Sequence, residues 1–244
     1  MVPPWLHLLS LAALGLGLAS AGGMALHEIR RPQRMWIMNL VWPISGLYAG
    51  PIAVWAYWRY GLLSARNGMD VARQREAKRL GTEHTPFPAM VGKAAAHCGS
   101  GCTLGDLAAE WLAFTFPVVA VWFGHGSIFA EKVFAIWILD YIFAFSLGIV
   151  FQYFTIAPMR NLSVGQGVRA AVKADALSLT AWQIGMYGFM AAAQFYLFRT
   201  LLGIPLEVST PEFWFMMQMA MIAGFLTSYP VNWWLLKSGV KEKM

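Results

Sequence analysis

Six long apolar runs alternate with shorter polar segments along the chain. They lie at about 4–26, 35–58, 90–123, 128–156, 176–198 and 212–236. A helix needs about 20 mostly apolar residues to cross the hydrocarbon core of a bilayer, and each run is long enough. The pattern predicts an all-α fold, a polytopic transmembrane helical bundle with about six spans. We expect residues 1–244 to form a single integral membrane domain with a basic loop at about 59–88.

The second run contains the residues that disturb a helix most. Pro43, Gly46, Gly50 and Pro51 all fall within 35–58, and proline removes a backbone donor while glycine favours bends. We predict one full crossing at 35–58, because the run is long enough. The alternative is a re-entrant pair of half-helices, which would leave five spans plus a re-entrant segment.

Composition supports the membrane class and argues against nucleic acid as a partner. Hydrophobic residues make up 58% of the chain and charged residues 12%, about half the usual charged share of a soluble domain. The 12 Trp and 8 Tyr suit the aromatic belts of a bilayer protein. The lipid bilayer is therefore the expected partner, and no nucleic-acid motif accompanies the net charge of +6.

Positive charge predicts the orientation of the chain. Lys and Arg concentrate in 59–80, in 157–175 and in the C-terminal tail, which places both segments and the C-terminus in the cytoplasm. We also predict a short surface helix at 159–173. Arg30, Arg31 and Arg34 conflict with this scheme, since six crossings place them outside.

The third run carries the candidate site. Cys98, Cys102, Asp106 and Glu110 are spaced four residues apart, so a helix places them on one face. His97 lies beside Cys98. Thiolate and imidazole ligands suit Cu(I) and other soft cations, so we predict a metal site formed by His97, Cys98, Cys102 and Asp106.

Other interpretations of this stripe stay open. Gly101 and Gly105 are typical of close helix packing, in which cysteine is simply another small residue. Cys98 and Cys102 could instead form a redox pair, although their spacing is not Cys-x-x-Cys. Neither interpretation explains the two carboxylates, which are costly inside a membrane and usually mark function.

Two further carboxylates need an explanation. Asp140 lies in the middle of the fourth run, and with Glu110 it is a candidate for an ion or proton pathway. Asp175 precedes the fifth run, where we expect it to stabilise a helix N-terminus.

Three segments together resemble a known family. They are His-Cys-x-x-Gly-Cys-x-Leu-Gly-Asp at 97–106, Trp-Pro-x-x-Gly-Leu-Tyr-x-Gly-Pro at 42–51 and Tyr-Pro-Val-Asn-Trp-Trp-Leu-Leu-Lys-Ser-Gly at 229–239. The chain from about residue 35 onward resembles a family of bacterial multi-pass membrane proteins known only as a domain of unknown function. The resemblance implies a location in the bacterial cytoplasmic (inner) membrane and a special role for 97–106. It implies no substrate or mechanism.

The sequence favours transport or membrane handling of a cation, with a soft transition metal such as copper as the leading candidate. One alternative is a membrane thiol-redox enzyme using Cys98 and Cys102. Another is a non-catalytic subunit or assembly factor, which would work as part of an oligomer or larger membrane complex. Dinucleotide-binding, phosphate-loop, haem-attachment and hydrolase motifs do not occur in the sequence. Whether the protein is an enzyme is not decided by its residues.

Overall fold

The computed structural model describes residues 2–62 and 85–242, and within these ranges it contains helices and no β-strand. The helices are α1 (Pro4–Arg30), α2 (Met38–Ala49), α3 (Pro51–Ala56), α4 (Phe87–Thr115), α5 (Val118–Trp122), α6 (Lys132–Arg160), α7 (Val164–Ala191) and α8 (Pro211–Lys237). Wider π-helical turns extend α3 over Tyr57–Gly61 and α7 over Ala192–Leu202. The all-α prediction is confirmed, while most of the predicted basic loop lies outside the described residues.

The connection between α6 and α7 is tighter than the sequence suggested. Asn161 ends α6 in the left-handed conformation, with φ 50°. Ser163 begins α7 two residues later with a capping box that Gln166 completes. The predicted separate helix at 159–173 is therefore wrong, because these basic residues belong to the end of α6 and the first turns of α7.

The chain reverses direction between α2 and α3. The break lies at Gly50, whose φ of +52° is rarely adopted by other residues. The ring centroids of Trp42 and Tyr57 are 5.5 Å apart, whereas 15 residues of straight helix would separate them by about 22 Å. The path over 35–58 is therefore two short helices in opposite directions, as the re-entrant alternative predicts, and not the straight helix that one full crossing would need.

Contacts with α1 confirm that α2 and α3 run in opposite directions. A Cβ on Gly17 would lie 2.5 Å from the carbonyl oxygen of Leu47, so the end of α2 reaches the middle of α1. His27 Nδ1 and Tyr57 Oη are 2.7 Å apart, so the chain after α3 has returned towards the end of α1. Helices α2 and α3 thus form a helical hairpin, and both of its ends lie at the same end of the bundle.

This end of the bundle, the C-terminal face, collects most of the basic residues in the described part of the chain. At this end, Trp36, just before α2, contacts Phe154 near the end of α6, with 5.1 Å between ring centroids. Phe87 at the beginning of α4 contacts Trp233 near the end of α8, with 4.8 Å between centroids. The reversal places the arginines that follow α1 at this same face, which removes the conflict in the charge pattern. The basic side chains near this face are Arg30, Arg31, Arg34, Arg59, Arg160, Arg169, Lys173 and Lys237.

The opposite face is held by an ion pair and by a second side-chain contact. Arg199 donates two hydrogen bonds of 2.8 Å to the carboxylate of Glu131. That guanidinium holds the pKa of Glu131 below its usual range. His7 Nδ1 lies 2.7 Å from Glu212 Oε1, which connects the beginning of α1 to the beginning of α8.

Helix α4 lies in the centre and packs against α2, α6, α7 and α8. Small residues let it approach α6 until the two backbones touch. A Cβ on Gly101 would lie 2.5 Å from Gly148 Cα, and one on Gly105 would lie 2.4 Å from Ala144 Cα. The small residues of this stripe therefore do serve close helix packing.

Two helices in the described ranges are long and apolar enough to cross a membrane, namely Pro4–Arg30 and Lys132–Arg160. The outer surface of the bundle is also apolar. Large exposed hydrophobic side chains include Ile29, Trp122, Ile128, Ile184 and Leu226. These findings fit a membrane protein.

Candidate functional site: a buried polar strip along α4

The polar strip predicted on α4 is buried in the bundle. Cys98, Cys102 and Asp106 are fully buried, and Glu110 is 3% exposed. Asp140 on α6 is also fully buried. All three carboxyl groups therefore face the protein interior. The four α4 residues span about 18 Å along the helix axis.

Cys98 is part of a fully connected group that we call the thiol cluster: Cys98, Asp175, Ser178, Asn232 and Lys241. The thiol donates to Asp175 Oδ1 at 2.7 Å and lies 3.1 Å from Ser178 Oγ. Lys241 Nζ donates to Asp175 Oδ1 at 2.6 Å, Asn232 Oδ1 at 2.8 Å and Cys98 Sγ at 2.9 Å. Asn232 Nδ2 donates to Ser178 Oγ at 2.6 Å. Four different parts of the chain thus meet at one buried point.

Asp175 has a different role from the one predicted. Helix α7 begins at Val164, so Asp175 lies inside the helix and not at its N-terminus. Its side chain is fully buried and forms an ion pair with Lys241. The capping prediction is wrong, because helix α7 extends well before the apolar run that suggested its start.

His97 faces a different neighbour from Cys98. Its Nε2 lies 2.9 Å from Thr155 Oγ1 on α6, while Cys98 points towards α7 and α8. The buried Nδ1 atom has no hydrogen-bond partner among the described residues. Adjacent residues on a helix are about 100° apart, which explains the divergence.

Asp106, Glu110 and Asp140 form a second group, the carboxyl cluster. Gln183 Nε2 donates to Asp106 Oδ1 at 3.1 Å. Asp140 lies within electrostatic range of both other carboxyls, and Glu110 within range of Lys132 near the opposite face. Both oxygens of Asp140 and Oδ2 of Asp106 are buried without a hydrogen-bond partner in the described ranges.

The predicted four-ligand metal site is not assembled as one group. Among residues 2–62 and 85–242, no three His, Cys, Asp or Glu side chains are grouped so that they could hold a metal ion. Cys98 and Cys102 are both free thiols. Met221 of α8 contacts α4 beside Cys102, since Thr103 Oγ1 lies 3.6 Å from Met221 Sδ.

Sequence reasoning missed the partners of Cys98. Asp175 and Ser178 are three residues apart, a spacing that puts them on one helix face. Asn232 interrupts an apolar helix, which was a further signal of a buried polar contact. Lys241 gave no local signal, because it looks like any basic residue of a C-terminal tail.

The fold and this interior define an all-helical bundle with a buried polar strip and helices suited to a membrane. Residues 89–241 match the model of a family described as a domain of unknown function, DUF4396. The match covers more than half of the chain, so the protein belongs to this family. The matched residues include the thiol and carboxyl clusters. They do not include the helical hairpin of α2 and α3, although the resemblance noted at 42–51 falls within it. No curated protein and no solved structure matches the chain.

Proposed function

We propose that the protein is an integral membrane protein with five crossing helices and one re-entrant hairpin. Helices α1, α4, α6, α7 and α8 each contain at least 27 residues, more than the roughly 20 that a crossing requires. The basic C-terminal face then lies in the cytoplasm, as the positive-inside rule favours. A bacterial inner membrane is the setting that the sequence suggests.

Cysteine labelling tests this topology and separates it from six crossings. Arg34, Ser127 and Ser238 are exposed, whereas Cys98 and Cys102 are buried and contribute little background. Single cysteines at positions 34 and 238 should react only from the cytoplasmic side, and one at position 127 only from outside. Six crossings would place positions 34 and 238 on opposite sides, so that result would contradict the re-entrant arrangement.

We further propose that the protein transports a cation, with the carboxyl cluster accepting and releasing protons. The observation that carries this proposal is Asp140, which is fully buried with both oxygens unpaired among the described residues. A carboxyl group kept at such a cost inside a membrane bundle usually serves an ion or proton pathway. Asp140 also lies in electrostatic range of Asp106 and Glu110, so a negative charge on one of these carboxyls disfavours ionisation of Asp140.

A flux assay on reconstituted protein tests this function. Proteoliposomes enclosing a pH-sensitive dye would be exposed in turn to sodium, potassium, ammonium and Cu(I) ions. We expect at least one cation to change the internal pH with the native protein. Asp140→Asn keeps the side-chain size but cannot exchange a proton, so the pH change should be lost. Glu131→Gln, at the residue that precedes the same helix, removes an exposed carboxylate and should retain the pH change.

Two results would contradict transport coupled to Asp140. One is the absence of a pH change with every cation tested, and the other is an Asp140→Asn variant as active as the native protein. The copper, thiol-redox and assembly-factor interpretations stay predictions. Elemental analysis of gently purified protein tests the copper interpretation. A measurable reduction potential for Cys98 and Cys102 would support the thiol-redox interpretation, and stable co-purification with a larger complex would support the assembly-factor interpretation.

A further inference from the structure

The ammonium group of Lys241 lies in a chamber built from cation-binding atoms. Its Nζ is 2.6 Å from Asp175 Oδ1, 2.8 Å from Asn232 Oδ1 and 2.9 Å from Cys98 Sγ. The carbonyl oxygen of Ala94 lies 3.5 Å away. Three separate helices supply these atoms, and all three side chains are fully buried.

We propose that this chamber is a binding site for a free monovalent cation of the size of ammonium or potassium. The ammonium group of Lys241 occupies this site and competes with the free cation for it. The C-terminal segment that carries Lys241 would therefore control access to the site. This inference is independent of proton exchange at Asp140, and its test involves no transport.

The chamber offers more acceptors than the lysine uses. An ammonium group on a side chain has three N–H donors, but four acceptor atoms converge on it. Asp175 Oδ2 is an additional ligand atom, because it is buried and has no hydrogen-bond partner in the described part of the chain. Buried acceptors are normally satisfied. An unused carboxylate oxygen beside a cation therefore points to an alternative occupant, a free ion that replaces the ammonium group and also contacts this oxygen.

Charge and size select the class of ion. Asp175 supplies a single negative charge, so a monovalent cation neutralises the chamber whereas a divalent ion leaves a buried excess charge. The contacts of 2.6–2.9 Å are longer than the roughly 2.0–2.1 Å that Mg²⁺ requires, and two of the three are longer than the roughly 2.3–2.6 Å of Ca²⁺. Ammonium and potassium ions are similar in size and fit the observed spacing without contraction.

Outside the chamber, the segment that carries Lys241 makes backbone hydrogen bonds to the end of α8 and one partly exposed ion pair. The backbone leaves α8 through Gly239, whose φ is +72°, and the Lys241 N–H bonds the carbonyl oxygen of Leu235 at 3.1 Å. Glu242 pairs with Arg160 at a partly exposed position, where ion pairs contribute little. The ammonium group makes the segment's buried side-chain contacts with α4, α7 and α8, and a free cation can take its place in those contacts.

Chemical rescue of a lysine-free variant tests the site. Lys241→Ala would be purified in choline chloride, whose cation is too large for the chamber, and its thermal unfolding followed as ammonium or potassium chloride replaces choline at constant ionic strength. We expect the Tm to rise on the order of 5 °C and to saturate with concentration. Lys237→Ala is the matched control, because Lys237 is exposed on the same chain end. It and the native protein should show no such rise.

A second variant keeps the test decisive if Lys241→Ala is unstable. Protein purified in ammonium chloride should unfold when choline replaces the ammonium, and Asp175→Asn/Lys241→Ala should show no response to either ion. The proposal is overturned if Lys241→Ala responds no more than Lys237→Ala. It is equally overturned if the variant stays unfolded in ammonium and potassium, since the chamber then accepts only the lysine.

Discussion

Asp175→Asn should destabilise the protein by about 3–5 kcal/mol, because it leaves the ammonium group of Lys241 buried without a counter-charge. Asp175 and Lys241 are each at most 2% exposed, with 2.6 Å between Oδ1 and Nζ. For a chain of this size the loss corresponds to a fall in Tm on the order of 10 °C. Thermal unfolding in detergent, followed by circular dichroism, measures it.

A double variant separates the charge effect from a simple packing defect. Lys241→Met removes the buried positive charge while keeping an unbranched side chain, so Asp175→Asn/Lys241→Met should recover most of the lost stability. Glu131→Gln breaks the exposed pair with Arg199 and should change Tm very little. If the double variant is as unstable as Asp175→Asn alone, the ion pair is not the cause of the loss.

Gly105→Ala should also cost several kcal/mol, on the order of 3, because one added methyl group forces two helices apart. The new Cβ would lie 2.4 Å from both the Cα and the backbone nitrogen of Ala144. Backbone atoms cannot rotate away as a flexible side chain can, so α4 and α6 must separate along the contact that Gly101 and Gly148 share. The measurements are Tm and the yield of folded, monodisperse protein.

Gly188→Ala is the matched control for this substitution. Gly188 lies in α7, and nothing lies within 4 Å of a Cβ built there. Replacing it should leave the protein as stable or stabilise it by about 0.5–1 kcal/mol, since alanine favours a helix more than glycine does. Equal effects of Gly105→Ala and Gly188→Ala would show that the α4–α6 backbone contact is not tight.

The candidate site was predictable in its local part only. Four-residue spacing places Cys98, Cys102, Asp106 and Glu110 on one face of any helix, and the structure buries that face. The same rule did not show that His97 would turn towards α6. That outcome depends on which neighbouring helix occupies each side of α4, and no periodicity within α4 contains this information.

The amino-acid sequence by itself determined the helical class, the approximate positions of α1, α4, α6 and α8, and the polar face of α4. These follow from hydrophobic runs and from the four-residue spacing of the polar residues. Only the tertiary structure decided that the chain reverses at Gly50, because a glycine between two prolines permits a kink, a bend or a full reversal. It also decided that Lys241 reaches Asp175, 66 residues earlier in the chain. A contact between residues so distant depends on how α7 and α8 pack, and a tail lysine looks the same in sequence whether it meets water or a buried carboxylate.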